Sequence, residues 1–272
     1  MELRITVLVN NTVYLSNFKA EHGWSVLIET AEGTLLFDTG QSGLFLENAR
    51  FMKLELEKVD KVVLSHGHYD HTGGLEHLLK LNPGIKIYAH PDASQKRFYF
   101  QPGKPAREIG MPEGVRPFKE NFCFARESKE IIPGCFTTGE ITRVFKSEET
   151  IKGFFLDPQG KTPDYVCDDQ ALIVRTSVGP VVILGCCHSG LENTLEQVAE
   201  LTGTRSFPLV LGGMHLSNVS ENYINRAAEA LQRFSIQKIG VAHCTGYYGA
   251  IKLEQLFFGE IMECNVGSIF EL

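Results

Sequence analysis

Residues 65–74, Ser-His-Gly-His-Tyr-Asp-His-Thr-Gly-Gly, put three imidazoles and a carboxylate into six consecutive positions, His66 to His71, directly after the apolar run Val62-Val63-Leu64. Neutral imidazole nitrogen suits zinc, iron or manganese, and the carboxylate adds the charge needed to hold a second divalent ion beside the first. The run 61–64 reads as a buried strand. Gly73-Gly74 then leads into a helix marked by Leu75, Leu78, Leu79 and Leu81. The ligands therefore fall at the carboxyl end of a strand, where open α/β architectures place their sites and a core-anchored backbone holds imidazoles within a metal's tolerance. The ordinary alternative is a polar turn rich in histidine.

The chain has 272 residues, 43% of them apolar. That composition describes a globule with an ample core. No stretch approaches the roughly 20 apolar residues of a membrane span, and the amino terminus lacks a basic region followed by a long apolar segment. Seven cysteines without framework spacing fit reduced thiols, so the expectation is a cytoplasmic protein in which the Asn10-Asn11-Thr12 and Asn218-Val219-Ser220 sequons carry no meaning. A formal charge of −7 without dense Lys/Arg runs argues against nucleic acid. An anionic small substrate is still compatible, because divalent ions dominate the field inside a pocket. The oligomeric state, a homo-oligomer included, stays open.

The two halves echo each other at an offset of 146 residues. Ser25-Val26-Leu27-Ile28, Gly33 and Thr34-Leu35-Leu36-Phe37 recur as Ala171-Leu172-Ile173-Val174, Gly179 and Pro180-Val181-Val182-Ile183. Each reads as a hairpin ending in polar residues, which points to two facing sheets. After His188 helices and strands alternate: helices near 191–201, 221–234 and 250–258, with strands at Pro208–Leu211 and Lys238–Ala242. Layered α/β structure follows. The proline-rich stretch 92–165 is read as a lid or insertion over the site, in which Arg97, Phe98 and Tyr99 could offer a cation and rings to a flat substrate.

His66, His68, Asp70 and His71 match the His-x-His-x-Asp-His motif, and the chain resembles the metallo-β-lactamase superfamily. Further segments, Glu21-His22-Gly23, Phe37-Asp38-Thr39-Gly40-Gln41-Ser42-Gly43, Gly185-Cys186-Cys187-His188-Ser189-Gly190, Gly212-Gly213-Met214-His215-Leu216 and His243-Cys244-Thr245-Gly246, resemble its dihydropteroate-synthase-like branch. That branch includes a synthase joining a dihydropterin to a ribofuranosylaminobenzene phosphate. The resemblance implies a single domain, 1–272, folded as a four-layer αββα sandwich of two mixed sheets flanked by helices, with the site where the halves meet.

His188 and His243, each following an apolar strand and preceding a glycine-bearing turn, are the candidates that complete the two ligand sets, zinc being the first expectation and manganese, iron or magnesium the alternatives. His215 also ends an apolar strand and is expected to hydrogen-bond substrate or transition state. Asp38 would accept the distal N–H of a ligand histidine. The sequence departs from the superfamily pattern twice. Cys186 follows Gly185 where a bridging aspartate is usual, and Asp168-Asp169-Gln170 stand where a third histidine is usual. Cys186, either carboxylate of Asp168 and Asp169, or His188 could fill these gaps. His22 is expected near the pocket. The leading functional expectation is a metal-dependent hydrolase, with Asp70 orienting the attacking water, acting on a small anionic phosphoester, lactone or thioester. The alternative is a transferase condensing an activated dihydropterin with an aminobenzene ribosyl phosphate.

Overall fold

A computed structural model describes residues 2–272. In the first half, strands β1 (Leu3–Val9), β2 (Ser25–Thr30) and β3 (Gly33–Phe37) run antiparallel; β4 (Lys61–Val63) and β5 (Lys86–Ala89) then add in parallel. Two short strands, β6 (Phe98–Tyr99) and β7 (Arg107–Glu108), leave the sheet before β8 (Phe122–Phe124) returns to pair with β5. The second half repeats the plan. Strands β9 (Glu130–Ile132) and β10 (Cys135–Thr137) pair, β11 (Phe154–Phe155) joins β6 in a small ribbon, and β12 (Leu172–Thr176) and β13 (Gly179–Leu184) form the second hairpin. Then β14 (Leu209–Gly213), β15 (Lys238–Ala242) and β16 (Glu260–Glu263) follow in parallel, and β17 (Ile269–Glu271) crosses back to β1.

Both seven-stranded sheets show three antiparallel pairings followed by three parallel ones, in the orders β17-β1-β2-β3-β4-β5-β8 and β9-β10-β12-β13-β14-β15-β16. The hairpin echo is a register match: Ile28 pairs with Leu35, and Val174 with Val181, 146 residues further on. The two-residue period of a strand sorts the apolar side chains between two cores. Ile28, Leu35 and Phe37 meet Leu172, Val181 and Leu211 between the sheets. Their neighbours Leu27, Leu36 and Val62 face outward, under Phe45, Leu75, Leu78 and Leu79 of helices α1 (Leu44–Phe51) and α3 (Leu75–Leu81).

On the far side, α4 (Leu191–Thr202) and α5 (Glu221–Arg233) cover Val182, Val210 and Ile239. Sheets covered on both faces explain why the strands read as continuous apolar runs. The Ser220 hydroxyl accepts from the Tyr223 N–H and caps α5. Two expected boundaries move. The strand expected from Pro208 starts at Leu209, in keeping with a proline having no N–H to donate. The last helix, α6, spans Gly246–Leu256 because Gly246, at φ 66°, turns the chain into it directly after the His243–Thr245 turn. No described helix is long and apolar enough to cross a membrane.

Candidate metal centre

The parallel strands of both sheets deliver their carboxyl ends to one edge. There β4 runs into His66 and His68 and a four-residue helical turn, α2 (Tyr69–Thr72), that carries Asp70 and His71. This turn was not expected from sequence. Gly67 is required between the two histidines: a Cβ there would stand 2.0 Å from the carbonyl oxygen of Ala93. Opposite, a Cβ on Gly185 would lie 2.1 Å from Ser65 Oγ, so the two strand ends approach closely. Among the described residues, seven non-glycines have positive φ, and four of them, Asp38, Cys187, His215 and His243, follow strands at this edge. Such residues cost about 1–3 kcal/mol each and persist where the surroundings over-determine them.

His66, His68 and His188 bring one ring nitrogen each to within 4.8 Å of one another, all buried. His66 Nε2 faces His68 Nδ1 at 3.0 Å, and the His66 and His188 ring centroids are 4.8 Å apart. His188 is thus the histidine that the structure brings beside His66 and His68. Its Nδ1–H donates to the Thr150 carbonyl at 2.8 Å, which leaves Nε2 as the acceptor nitrogen. The Nε2 atoms of His68 and His188 are buried without a hydrogen-bond partner. Burial first, then neighbouring cationic groups, holds His66, His68 and His188 well below the ordinary histidine pKa. Neutral rings with free lone pairs are what a divalent ion requires, so this set fits a metal.

Asp70, His22 and His243 form the second group. Asp70 Oδ2 lies 3.2 Å from His243 Nε2, 3.0 Å from His22 Nε2 and 3.9 Å from His71 Nε2. Burial alone would raise the Asp70 pKa, but the His71 charge and hydrogen bonds from His22 and His243 hold it well below the usual carboxylate range. His71 is fixed from behind, its Nδ1 being 2.6 Å from Asp38 Oδ2. Asp38 also accepts from the Ser65 N–H at 2.7 Å and hydroxyl at 2.6 Å. Burial opposes a proton on His71, but Asp38 and Asp70 outweigh it and raise the pKa to about 9.

Cys186 is buried, with Sγ 3.2 Å from His71 Nε2, and it groups both with His66 and His71 and with His215 and Cys244. Burial pushes its thiol up. His215 stands beside the histidine cluster, its ring centroid 4.5 Å from that of His188.

Several expectations need correction. Arg97 does not present a cation to a substrate: it is 1% exposed, donating to Asp168 Oδ1 at 2.6 Å with Asp164 at 3.5 Å. The other Asp168 oxygen accepts from the Gly67 N–H at 2.7 Å, so this buried pair clamps the metal-motif loop. Asp169 joins none of the donor groups among the described residues; it accepts from the Ser189 N–H at 2.7 Å, and burial raises its pKa. Tyr99 packs on Phe154, with ring centroids 5.6 Å apart.

Phe154 itself lies 5.0 Å from His68 and 5.4 Å from His188, a contact that sequence reasoning missed. It also missed Asn10 and Asn11. Asn10 Oδ1 accepts the His243 backbone N–H at 2.8 Å, and Asn11 Oδ1 lies 2.9 Å from His243 Nδ1, so the pair read as an idle sequon orients His243. A cavity of about 260 Å³ opens beside His243, lined by Asn11, Tyr14, Tyr247, Glu263 and Asn265 among others.

Residues 19–190 match the metallo-beta-lactamase superfamily. A Methanocaldococcus jannaschii protein of uncharacterised function is 36% identical over 261 residues, 93% of this chain and 94% of that one. The 7,8-dihydropterin-6-methyl-4-(beta-D-ribofuranosyl)-aminobenzene-5'-phosphate synthase of the same organism is 30% identical over 263 residues, 92% of this chain and 88% of that one. Among solved structures, Tm1679, a metal-dependent hydrolase of the beta-lactamase superfamily, superposes with a TM-score of 0.86 at 31% identity, over 100% of this chain and 99% of that one. Fold, motif and full-length likeness agree, and the chain belongs to the metallo-beta-lactamase superfamily.

Proposed function

We propose that this protein is a metal-dependent hydrolase of a small molecule carrying a phosphoester, lactone or thioester, with one ion held by His66, His68 and His188 and the other by Asp70, His71 and His243. Zinc is the first candidate for this donor set, and manganese, iron and magnesium remain compatible with its mixed nitrogen and oxygen atoms. Ions bound there supply Lewis acidity and lower the pKa of water from 15.7 towards ~7. The chain does the positioning. Asp38, Thr150 and Asn11 fix the tautomers of His71, His188 and His243. Asp70 orients the attacking water. His22, 3.0 Å from Asp70 and 52% exposed, carries a proton to the departing group. The cavity beside His243 receives the uncharged part of the substrate.

The observation that carries this reading is the half-exposed His22 ring against the buried Asp70, which gives water a path to the chemistry. Transfer to an acceptor other than water requires its exclusion. A second reading, condensation of an activated dihydropterin with an aminobenzene ribosyl phosphate, is supported by the 30% identity to the synthase over most of both chains and by the Tyr14 and Tyr247 rings lining the cavity. The metal-loaded protein is to be assayed against phosphoester, lactone and thioester panels, and in parallel with the activated pterin and acceptor. Turnover in a hydrolytic panel without condensation supports the first reading; a condensation product overturns it.

A further inference from the structure

His66, His68 and His188 are 1%, 4% and 2% exposed, so no ion or substrate atom reaches the free Nε2 atoms of His68 and His188 while the chain keeps this conformation. The cover is Phe154 of β11, a half-buried ring whose centroid lies 5.0, 5.4 and 6.4 Å from those of His68, His188 and His215. We infer that residues 154–163 form a hinged flap, with Phe154 as its gate, that lifts to let an ion or a substrate atom into the pocket of the three histidines. The purpose of the gate rests on the proposed ion position; its motion does not.

The flap is built as one piece. The Leu156 N–H donates to the Thr162 carbonyl at 2.9 Å and the Asp164 N–H to the Phe154 carbonyl at 3.0 Å. The Asp157 carboxylate closes the tip, accepting from the N–H groups of Gln159, Lys161 and Thr162 at 2.9, 3.1 and 2.6 Å. Its feet are fixed. Thr150 donates its hydroxyl to the His188 carbonyl at 2.7 Å, and its own carbonyl accepts the ring N–H of His188 at 2.8 Å, while Asp168 is held by Arg97 and by the Gly67 N–H. Between the first foot and the tip stands Gly153, at φ 88°, where a Cβ would meet the Phe100 carbonyl oxygen at 3.0 Å. Glycine absorbs the large φ/ψ change of a hinge at no steric cost. What holds the flap down is small. Its ribbon belongs to neither seven-stranded sheet, β11 is an edge strand, and its register with β6 covers two residues, Phe154 with Tyr99 and Phe155 with Phe98. Elements held by so few backbone bonds are the ones that open locally, ahead of the core.

Access is read in two ways, neither of them turnover. In chelator-stripped protein, modification of neutral histidines by diethyl pyrocarbonate is followed residue by residue by mass spectrometry. In zinc-loaded protein, uptake and release of zinc are timed against a chromophoric chelator. Phe154→Ala is expected to speed modification of His68 and His188 roughly tenfold, the effect on a rate of losing an aromatic contact of about 1.4 kcal/mol. The half-exposed His22 should react at its wild-type rate, which separates gating from general loosening of the fold. Phe154 supplies no donor atom, so zinc uptake and release should rise by the same factor and leave Kd unchanged. A disulfide across Phe98→Cys and Phe155→Cys, whose paired positions lie within disulfide reach, is expected to slow modification and exchange, and its reduction to restore them, so a second variant carries the test if the first misfolds. Unchanged reactivity of His68 and His188 in Phe154→Ala, or release that quickens without uptake, overturns the gate. Protein that binds no zinc contradicts the ion assignment instead, and the histidine reactivities then decide the gate alone.

Discussion

The two proposed ion positions differ in how they are built. The His66, His68 and His188 set is all nitrogen, wholly buried and capped by the Phe154 ring. The Asp70 set mixes oxygen with nitrogen, and its neighbour His22 reaches solvent. In the proposed reaction, the first would serve as a fixed Lewis-acid anchor. In that reaction, the second is the end at which water, proton and leaving group would exchange. A closed set holds geometry, whereas an open one admits reactants.

The largest expected effect comes from breaking the closed set. His68→Ala should abolish turnover and remove about one equivalent of metal while far-ultraviolet circular dichroism keeps the native fold; full turnover by that variant refutes the assignment. At the open end, His22→Ala should lower kcat roughly 10²–10⁴-fold, as for the loss of a general acid, without changing metal content. Loss of metal in that variant would make His22 a ligand instead. Behind the rings, Asp38→Asn should weaken metal affinity roughly 10–100-fold, measured by competition with a chromophoric chelator. An unchanged affinity would mean that Asp38 serves the backbone turn alone.

Away from the chemistry, Arg97→Met leaves Asp164 and Asp168 buried without their cation. It should cost about 3–5 kcal/mol of stability in urea unfolding, whereas a substrate-binding arginine would raise KM and leave stability alone.

The smallest effect is a pH dependence of stability in chelator-treated protein. His66, His68 and His188 have folded pKa values below the unfolded ~6.5, so the stability they carry is full above about pH 6.5 and is lost as the pH falls, the unfolded chain binding protons that the folded one refuses. His71 acts with the opposite sign. Raised to about 9, its contribution is full below the unfolded value and is lost as the pH rises through about 9. Urea midpoints should therefore be highest near pH ~6.5, each histidine contributing about 1.4 kcal/mol per pH unit within its window. A midpoint that keeps rising as the pH is lowered from there would contradict the burial of the neutral rings.

Much of this was legible because it is local or periodic. The candidate donors from His66 to His71 sit on one loop, and a hairpin that repeats at an offset of 146 residues announces two sheets through its apolar runs. His188 and His243 could be chosen because each follows a strand that the core holds in place. The supporting contacts were not legible, since they join residues far apart in sequence. Asn11 meets His243 across 232 positions, and nothing in the local pattern marks it. Arg97 misled for the same reason: in a polar, proline-rich stretch an arginine reads as surface, and the aspartate that buries it lies 71 residues on. Phe154 was hidden in that stretch too, its role set by the ribbon of β6 and β11.

The central claim is convergence of remote residues on shared ions, and anomalous diffraction from zinc-loaded crystals tests it most directly. The account predicts one peak within about 2.0–2.3 Å of nitrogens from His66, His68 and His188 and a second bound by Asp70, His71 and His243. Peaks that touch neither His188 nor His243 would contradict it.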